Sequence, residues 1–190
     1  MAALNGYAEQ WWDDRLTAME AAFGKSDGMV GHAVVPFRFG FEAGGAADIL
    51  YFRNHFEGVV AATCELIGED SQIRNSLGNY ELAVCQRQDG IWGASLISKL
   101  AYYTLDASLE PGDTMEIGSP APGSTISALL FAEFARFPVR GRRAGVLLCM
   151  GITASELAAC RQGKREQVEA ALHNSGAYPF TDLHRKSVLP

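Results

Sequence analysis

The chain is short of positive charge over most of its length. Residues 1–130 carry 7 Lys/Arg against 17 Asp/Glu, a local net of −10 within an overall −6, while residues 131–190 are net +4. That balance disfavours nucleic-acid binding. It leaves two readings of the acidic part open, a surface suited to a basic partner or plain solubility. Clustered metal ligands are lacking too. His32, His55, His173 and His184 stand apart, with no His-x-x-x-His pair and no Cys/His cluster, so no metal site is expected. There is no Gly-x-Ser-x-Gly elbow. Gly123-Ser124-Thr125 lacks the glycine–lysine arrangement that cradles phosphates, and no cofactor is expected. Cys64, Cys85, Cys149 and Cys160 form no Cys-x-x-Cys pair and read as reduced thiols, Cys64 and Cys85 within apolar strand-like runs. No stretch approaches the ~18 apolar residues of a membrane span. Met1–Glu9 lacks the basic-then-apolar pattern of a secretory signal, so the expectation is a cytoplasmic protein with no membrane contact. Repeats, low-complexity blocks and linkers are missing as well, and 190 residues fit one domain over 1–190.

What is present reads as one α+β domain, with a mixed or mostly antiparallel sheet and helices packed at both ends and in the middle. Tyr7–Phe23 has helical spacing at Trp11, Leu16, Met19 and Phe23, and Gly24 stops it. Trp11 and Trp12 read as core or helix-docking residues. His32–Phe41 alternates Val35, Phe37, Phe39 and Phe41 on one face and reads as an edge strand, since Pro36 cannot donate to a ladder. Asp48–Arg53 reads as its hairpin partner, and Asn54-His55-Phe56 as a short connection. The centre is Glu57–Ile117. Glu57–Ile67 is an apolar strand, Glu69–Ser76 a polar loop, and Asn79–Gln86 a strand that sets Tyr80, Leu82 and Val84 against Glu81, Ala83 and Cys85. Trp92–Leu105 then switches to helical period, and Pro111-Gly112-Asp113 makes a turn. Met115–Gly123 reads as a loop. Thr125–Phe134 reads as a strand, although periodicity alone leaves a helix open. Arg140–Arg143 is a basic turn and Ala144–Ile152 a central strand. Thr153-Ala154-Ser155-Glu156 is a capping box that opens a helix, Gly163 breaks it, and Lys164–Asn174 continues.

The order of these pieces resembles the suppressor of fused family. The resemblance is carried by Gly58–Gly68 (GVVAATCELIG), Asn79–Val84 (NYELAV), Trp92–Leu105 (WGASLISKLAYYTL), Pro111–Thr114 (PGDT), Gly151–Leu157 (GITASEL) and Pro179–Val188 (PFTDLHRKSV). It covers roughly residues 31–189, after an N-terminal helix and loop over 1–30, and matches the N-terminal domain of the animal members. It implies a non-catalytic binding module. Animal members capture a transcription-factor peptide as an added strand, and single-domain bacterial members look like immunity proteins that silence a toxin. In the animal proteins an acidic residue after Leu-x-Gly faces the partner peptide. The matching position here is Glu69, with Asp70 beside it, and Glu81 matches a second acidic position nearby.

Two functions follow as expectations. The first is a protein-binding module with Glu69, Asp70 and Glu81 at the contact, its partner being a protein such as a basic toxin domain. The second is an enzyme whose cysteine and histidine meet only in the fold, or else a repressor that binds a transcription regulator. Adjacent acids such as Asp13-Asp14 and Glu69-Asp70 are poor acid/base pairs, because that chemistry needs two different environments.

Overall fold

The computed structural model describes residues 2–55 and 57–189, with side chains from residue 10 onward, so Phe56 and the side chain of Tyr7 lie outside what is described. Its middle is the apolar run read as a central strand. This run is β7 (Arg142–Thr153), whose residues from Ala144 onward are all buried. On one side it pairs in parallel with β4 (Asn79–Gln86), in the register Asn79↔Ala144 to Ala83↔Leu148. On the other it pairs antiparallel with β6 (Ile126–Val139). Outward from β4 lie β3 (Val59–Thr63), β2 (Ile49–Phe52) and the two-residue β1 (Val30–Gly31). Outside β6 lies β5 (Thr114–Glu116). The order is β1-β2-β3-β4-β7-β6-β5, and every neighbouring pair except β4–β7 is antiparallel. The architecture is the α+β fold with a mixed, mostly antiparallel sheet that the sequence led one to expect.

Both faces of the sheet are covered, which explains why β4 is buried along nearly its whole length. Ala83, Cys85, Val146 and Leu148 face Met19 and Phe23 of α1 (Ala2–Phe23), with Val168 and Leu172 of α5 (Arg165–Asn174) on the same side. Leu82, Val84, Leu147 and Cys149 face Ala94 and Ile97 of α2 (Ile91–Leu100). The small apolar side chains of β4 thus lie under α1, and the large ones lie under α2. The helix expected over Trp92–Leu105 forms in two pieces, α2 and the single turn α3 (Tyr103–Asp106). The basic turn is a hairpin tip. Arg140 and Gly141 both take positive φ, 50° and 74°, and close β6 onto β7 in two residues, the geometry that matches strand twist.

Two expectations are corrected. His32–Phe41 is not a strand. Only Pro36 makes an isolated bridge, to Ala46, and Phe37–Phe39 and Phe41–Ala43 are 3-10 turns. Between them Gly40 sits at φ 86°, which breaks any extended ladder. The hairpin partner of β2 is instead Val30–Gly31. The passage Met115–Gly123 is loop only after Glu116, because Thr114–Glu116 adds an edge strand to β6.

The capping box forms as read. Thr153 Oγ1 accepts from the Glu156 amide at 3.4 Å, and Glu156 Oε2 accepts from the Thr153 amide at 2.8 Å, opening α4 (Ala154–Ala159). Helix α4 joins α5 through a π turn that bends at Gly163, φ 79°. The C-terminal segment then returns across the sheet, with the Thr181 amide donating to the Cys85 carbonyl at 2.8 Å.

Gly78, which precedes β4, tests the parallel pairing. A Cβ there would lie 2.0 Å from the Arg143 carbonyl oxygen, and its φ is 102°. Contact and strain act together, so Gly78→Ala is expected to lose about 2–4 kcal/mol of stability in urea denaturation. A near-neutral result would show that β7 does not approach the start of β4 so closely.

Candidate protein-contact site

Glu81 is the first site residue to place. Strand alternation turns it towards α1, under the loop that joins β3 to β4, and its side chain has 0 % of its surface accessible. Its Oε1 accepts from the amides of Leu66 (2.9 Å) and Ile67 (2.8 Å), and its Oε2 from the Thr63 hydroxyl (2.7 Å). Arg15 of α1 brings its Nε to 3.8 Å from Oε1 and donates through Nη1 to the Ile67 carbonyl at 2.9 Å. Hydrogen bonds to a carboxylate are stronger than neutral ones, and together these pin the start of the loop. The expectation that Glu81 contacts a partner is therefore corrected. It has no surface to present, and it anchors the start of the loop from beneath.

Neutral side chains hold the rest of the loop. Gln72 donates to the Tyr80 carbonyl (2.8 Å) and accepts from the Tyr80 amide (3.0 Å) and from Asn79 Nδ2 (2.9 Å). Asn75 donates to the Leu109 carbonyl at 2.7 Å. The Tyr80 hydroxyl accepts from the Leu109 amide at 3.0 Å, and burial pushes its pKa up to about 12, so it stays a neutral phenol. A loop with its polar groups satisfied in this way presents a preformed surface.

Glu69 and Asp70 stand together on that loop. Glu69 is half-buried and turned back, accepting from the Ser71 amide (3.0 Å) and hydroxyl (2.7 Å). Asp70 points outward with 78 % of its side chain accessible. Arg142 lies 3.3 Å and Arg74 3.8 Å from its Oδ1. Sequence reasoning missed these arginines as site residues; the basic Arg140–Arg143 turn was the signal for Arg142, and Arg74 lies in the polar loop itself. Arg140 and Arg142 also sit over the Trp11 ring, at 5.3 and 5.7 Å, and Arg140 lies 3.4 Å from Asp14. Trp11 itself is buried against Ile67, Val139 and Ala144, as its core reading implied. The patch is thus not uniformly acidic. It pairs Asp14 with Arg140, and Asp70 with Arg142 and Arg74, with Arg140 and Arg142 over one indole. Exposed ion pairs of this kind are worth little individually, so a partner's charges can replace them at small cost.

The groups an enzyme would use lie elsewhere. Burial pushes the thiols of Cys64, Cys85 and Cys149 far above the ordinary range, which disfavours a nucleophilic thiolate. His32 faces Asp48 at 2.7 Å. His55 packs edge-on against Phe23, and burial lowers its pKa. His173 lies against Tyr178. Among the described residues no group of three or more His, Cys, Asp or Glu is placed to hold a metal ion. No helix among them is long and apolar enough to cross a membrane.

Sheet, anchor and loop define an α+β protein built to hold a preformed polar surface at one end of its central strands. The profile of the suppressor of fused protein family (SUFU) matches residues 63–186, and the chain belongs to that family. No curated protein matches the sequence significantly. Among solved structures it is similar to a suppressor of fused homolog from Neisseria gonorrhoeae FA 1090, with a TM-score of 0.65 at 14% identity over 96% of this chain and 98% of that one. It is similar also to the protein of the Sufu–Fu complex, with a TM-score of 0.69 at 13% identity over 97% and 91%. Drosophila Suppressor of Fused matches with a TM-score of 0.57 at 16% identity, over 74% of this chain and 42% of that one. At these identities the structures bear on the fold alone.

Proposed function

We propose that this chain is a non-catalytic protein-binding module, acting in the cytoplasm as a single suppressor of fused-like domain over residues 1–190, and that it neutralises a basic toxin domain. The observation that carries the reading is the likeness, over 97% of the chain, to a suppressor of fused protein structurally characterised in complex with Fu. The toxin partner is supported by the likeness to a bacterial homolog along almost the whole of both chains. The net −10 over residues 1–130 also supports it. A negative field of that size would speed capture of a positively charged protein.

The test starts by purifying the chain from its native host and identifying what co-purifies. Binding of that protein is then measured with Glu69→Lys/Asp70→Lys. The double variant is expected to bind on the order of tenfold more weakly, chiefly through slower association and most clearly at low salt. Its melting temperature should stay within about 2 °C of wild type, because the changes are peripheral. Unchanged affinity would remove the loop from the interface, and an acidic partner would contradict the toxin reading. Glu81→Lys is unsuitable here, since it would set a second cation against buried Arg15.

A further inference from the structure

Three phenylalanines fall within five residues, and only one of them reaches the core. Phe37 is buried and stacks on Tyr102 with ring centroids 4.3 Å apart. Phe39 and Phe41 are 58 % and 62 % exposed, and Tyr103 across from them is 45 % exposed. Between these turns and α2–α3 runs an open trough of about 650 Å³, with Phe41, Leu96, Leu100, Tyr103 and Leu105 along its walls. Large apolar side chains grouped on a surface in this way mark an interaction site.

The trough also indicates what would fill it. Its walls are helical turns whose backbone groups are already used. Gly40 donates to Phe37, Ala43 to Gly40 and Gly44 to Phe41. An added strand would find no ladder to join, so the surface reads side chains, as helix-binding grooves do. Glu42 and Asp106 stand at the rim against a single cation, Lys99. None of the three forms an ion pair among the described residues. The Ile73 amide donates to the Thr104 carbonyl at 2.8 Å, so the Glu69–Asp70 loop abuts the segment that forms the trough.

We propose that this trough docks an amphipathic helix of a partner protein, with its apolar face over Phe41, Leu100 and Tyr103 and its lysines or arginines at Glu42 and Asp106. The inference rests on the protein-binding reading above and names a second surface for it.

The probe is a synthetic amphipathic helix of about four turns, with leucines along one face and flanking lysines, titrated into isotope-labelled protein and followed by NMR. Amide shifts are expected at Phe41, Leu96 and Lys99 to Tyr103. Affinity should fall about tenfold in Phe41→Ser/Tyr103→Ser, and about as much when the peptide's lysines are replaced by glutamates. Both substituted residues are exposed, so the variant should fold. Shifts elsewhere, no shifts, or equal affinity for the acidic peptide would overturn the proposal. So would self-association of the free protein that Phe41→Ser abolishes, because a second copy would then be the occupant. With the co-purified partner, wild-type affinity of the double variant overturns the trough alone. If no partner is captured at all, the binding reading fails and the trough fails with it.

Discussion

Glu81→Ala is expected to melt roughly 10 °C below the wild type. Removing one partner from a buried ion pair costs about 3–5 kcal/mol, because the other charge stays behind unpaired. In a protein of this size each kcal/mol moves the melting temperature by about 2–4 °C. Here the loss leaves more than Arg15. The amides of Leu66 and Ile67 and the Thr63 hydroxyl lose their acceptor as well. Glu81→Gln keeps the shape and one acceptor oxygen but aims an amide at groups that are already donors, so it should fall between alanine and wild type. Arg15→Met should cost less than Glu81→Ala, since the carboxylate keeps its three hydrogen bonds. Thermal and urea denaturation of the three variants give the ranking. Glu81→Ala within about 1 kcal/mol of wild type, a typical surface effect, would show that the carboxylate does not anchor the loop.

The second large effect is expected at Glu156. The carboxylate has 0 % of its side-chain surface accessible and meets Arg185 through both oxygens, at 2.6 and 2.7 Å. Arg185 also donates to the Gly151 carbonyl at 2.9 Å, and the Val188 amide donates to Glu156 at 2.8 Å. One residue thus starts α4 and ties down the end of the chain. Burial alone would raise its pKa, but the Arg185 hydrogen bonds, with the amides of Val188 and Thr153, outweigh that and hold it below the ordinary value of 4.5. A carboxyl whose pKa is lower folded than unfolded contributes fully above the unfolded value. That contribution fades as pH falls through the folded value. Arg185→Ala is expected to cost about 3–5 kcal/mol at neutral pH and to flatten the loss of stability below pH 4.5. Denaturation curves at several pH values measure both, and an unchanged acid slope would contradict the clamp.

How legible each part was depended on how far its cause reached along the chain. The capping box was legible because its partners are three residues apart. The strand Ala144–Ile152 was legible because a run with no polar face belongs inside a sheet. Phe37, Phe39 and Phe41 misled, because period-two spacing outweighed the glycines that actually bend the segment into 3-10 turns. The bulk of the difference at the site lay in Glu81. Alternation put it opposite Leu82, but it did not show that α1 covers that face and brings Arg15 beneath the loop from 66 residues away. Arg185 and Glu156 were invisible as a pair for the same reason. Asp70 was found as an acidic position, whereas its nearer arginine neighbour, Arg142, arrives from the far hairpin tip.

The most direct test of the account is amide hydrogen exchange at Leu66 and Ile67 in the free protein. If Glu81 holds the loop as a preformed surface, both amides exchange only on global unfolding and become fast in Glu81→Ala. Rapid exchange in the wild type, at the rate of an open loop, would contradict it.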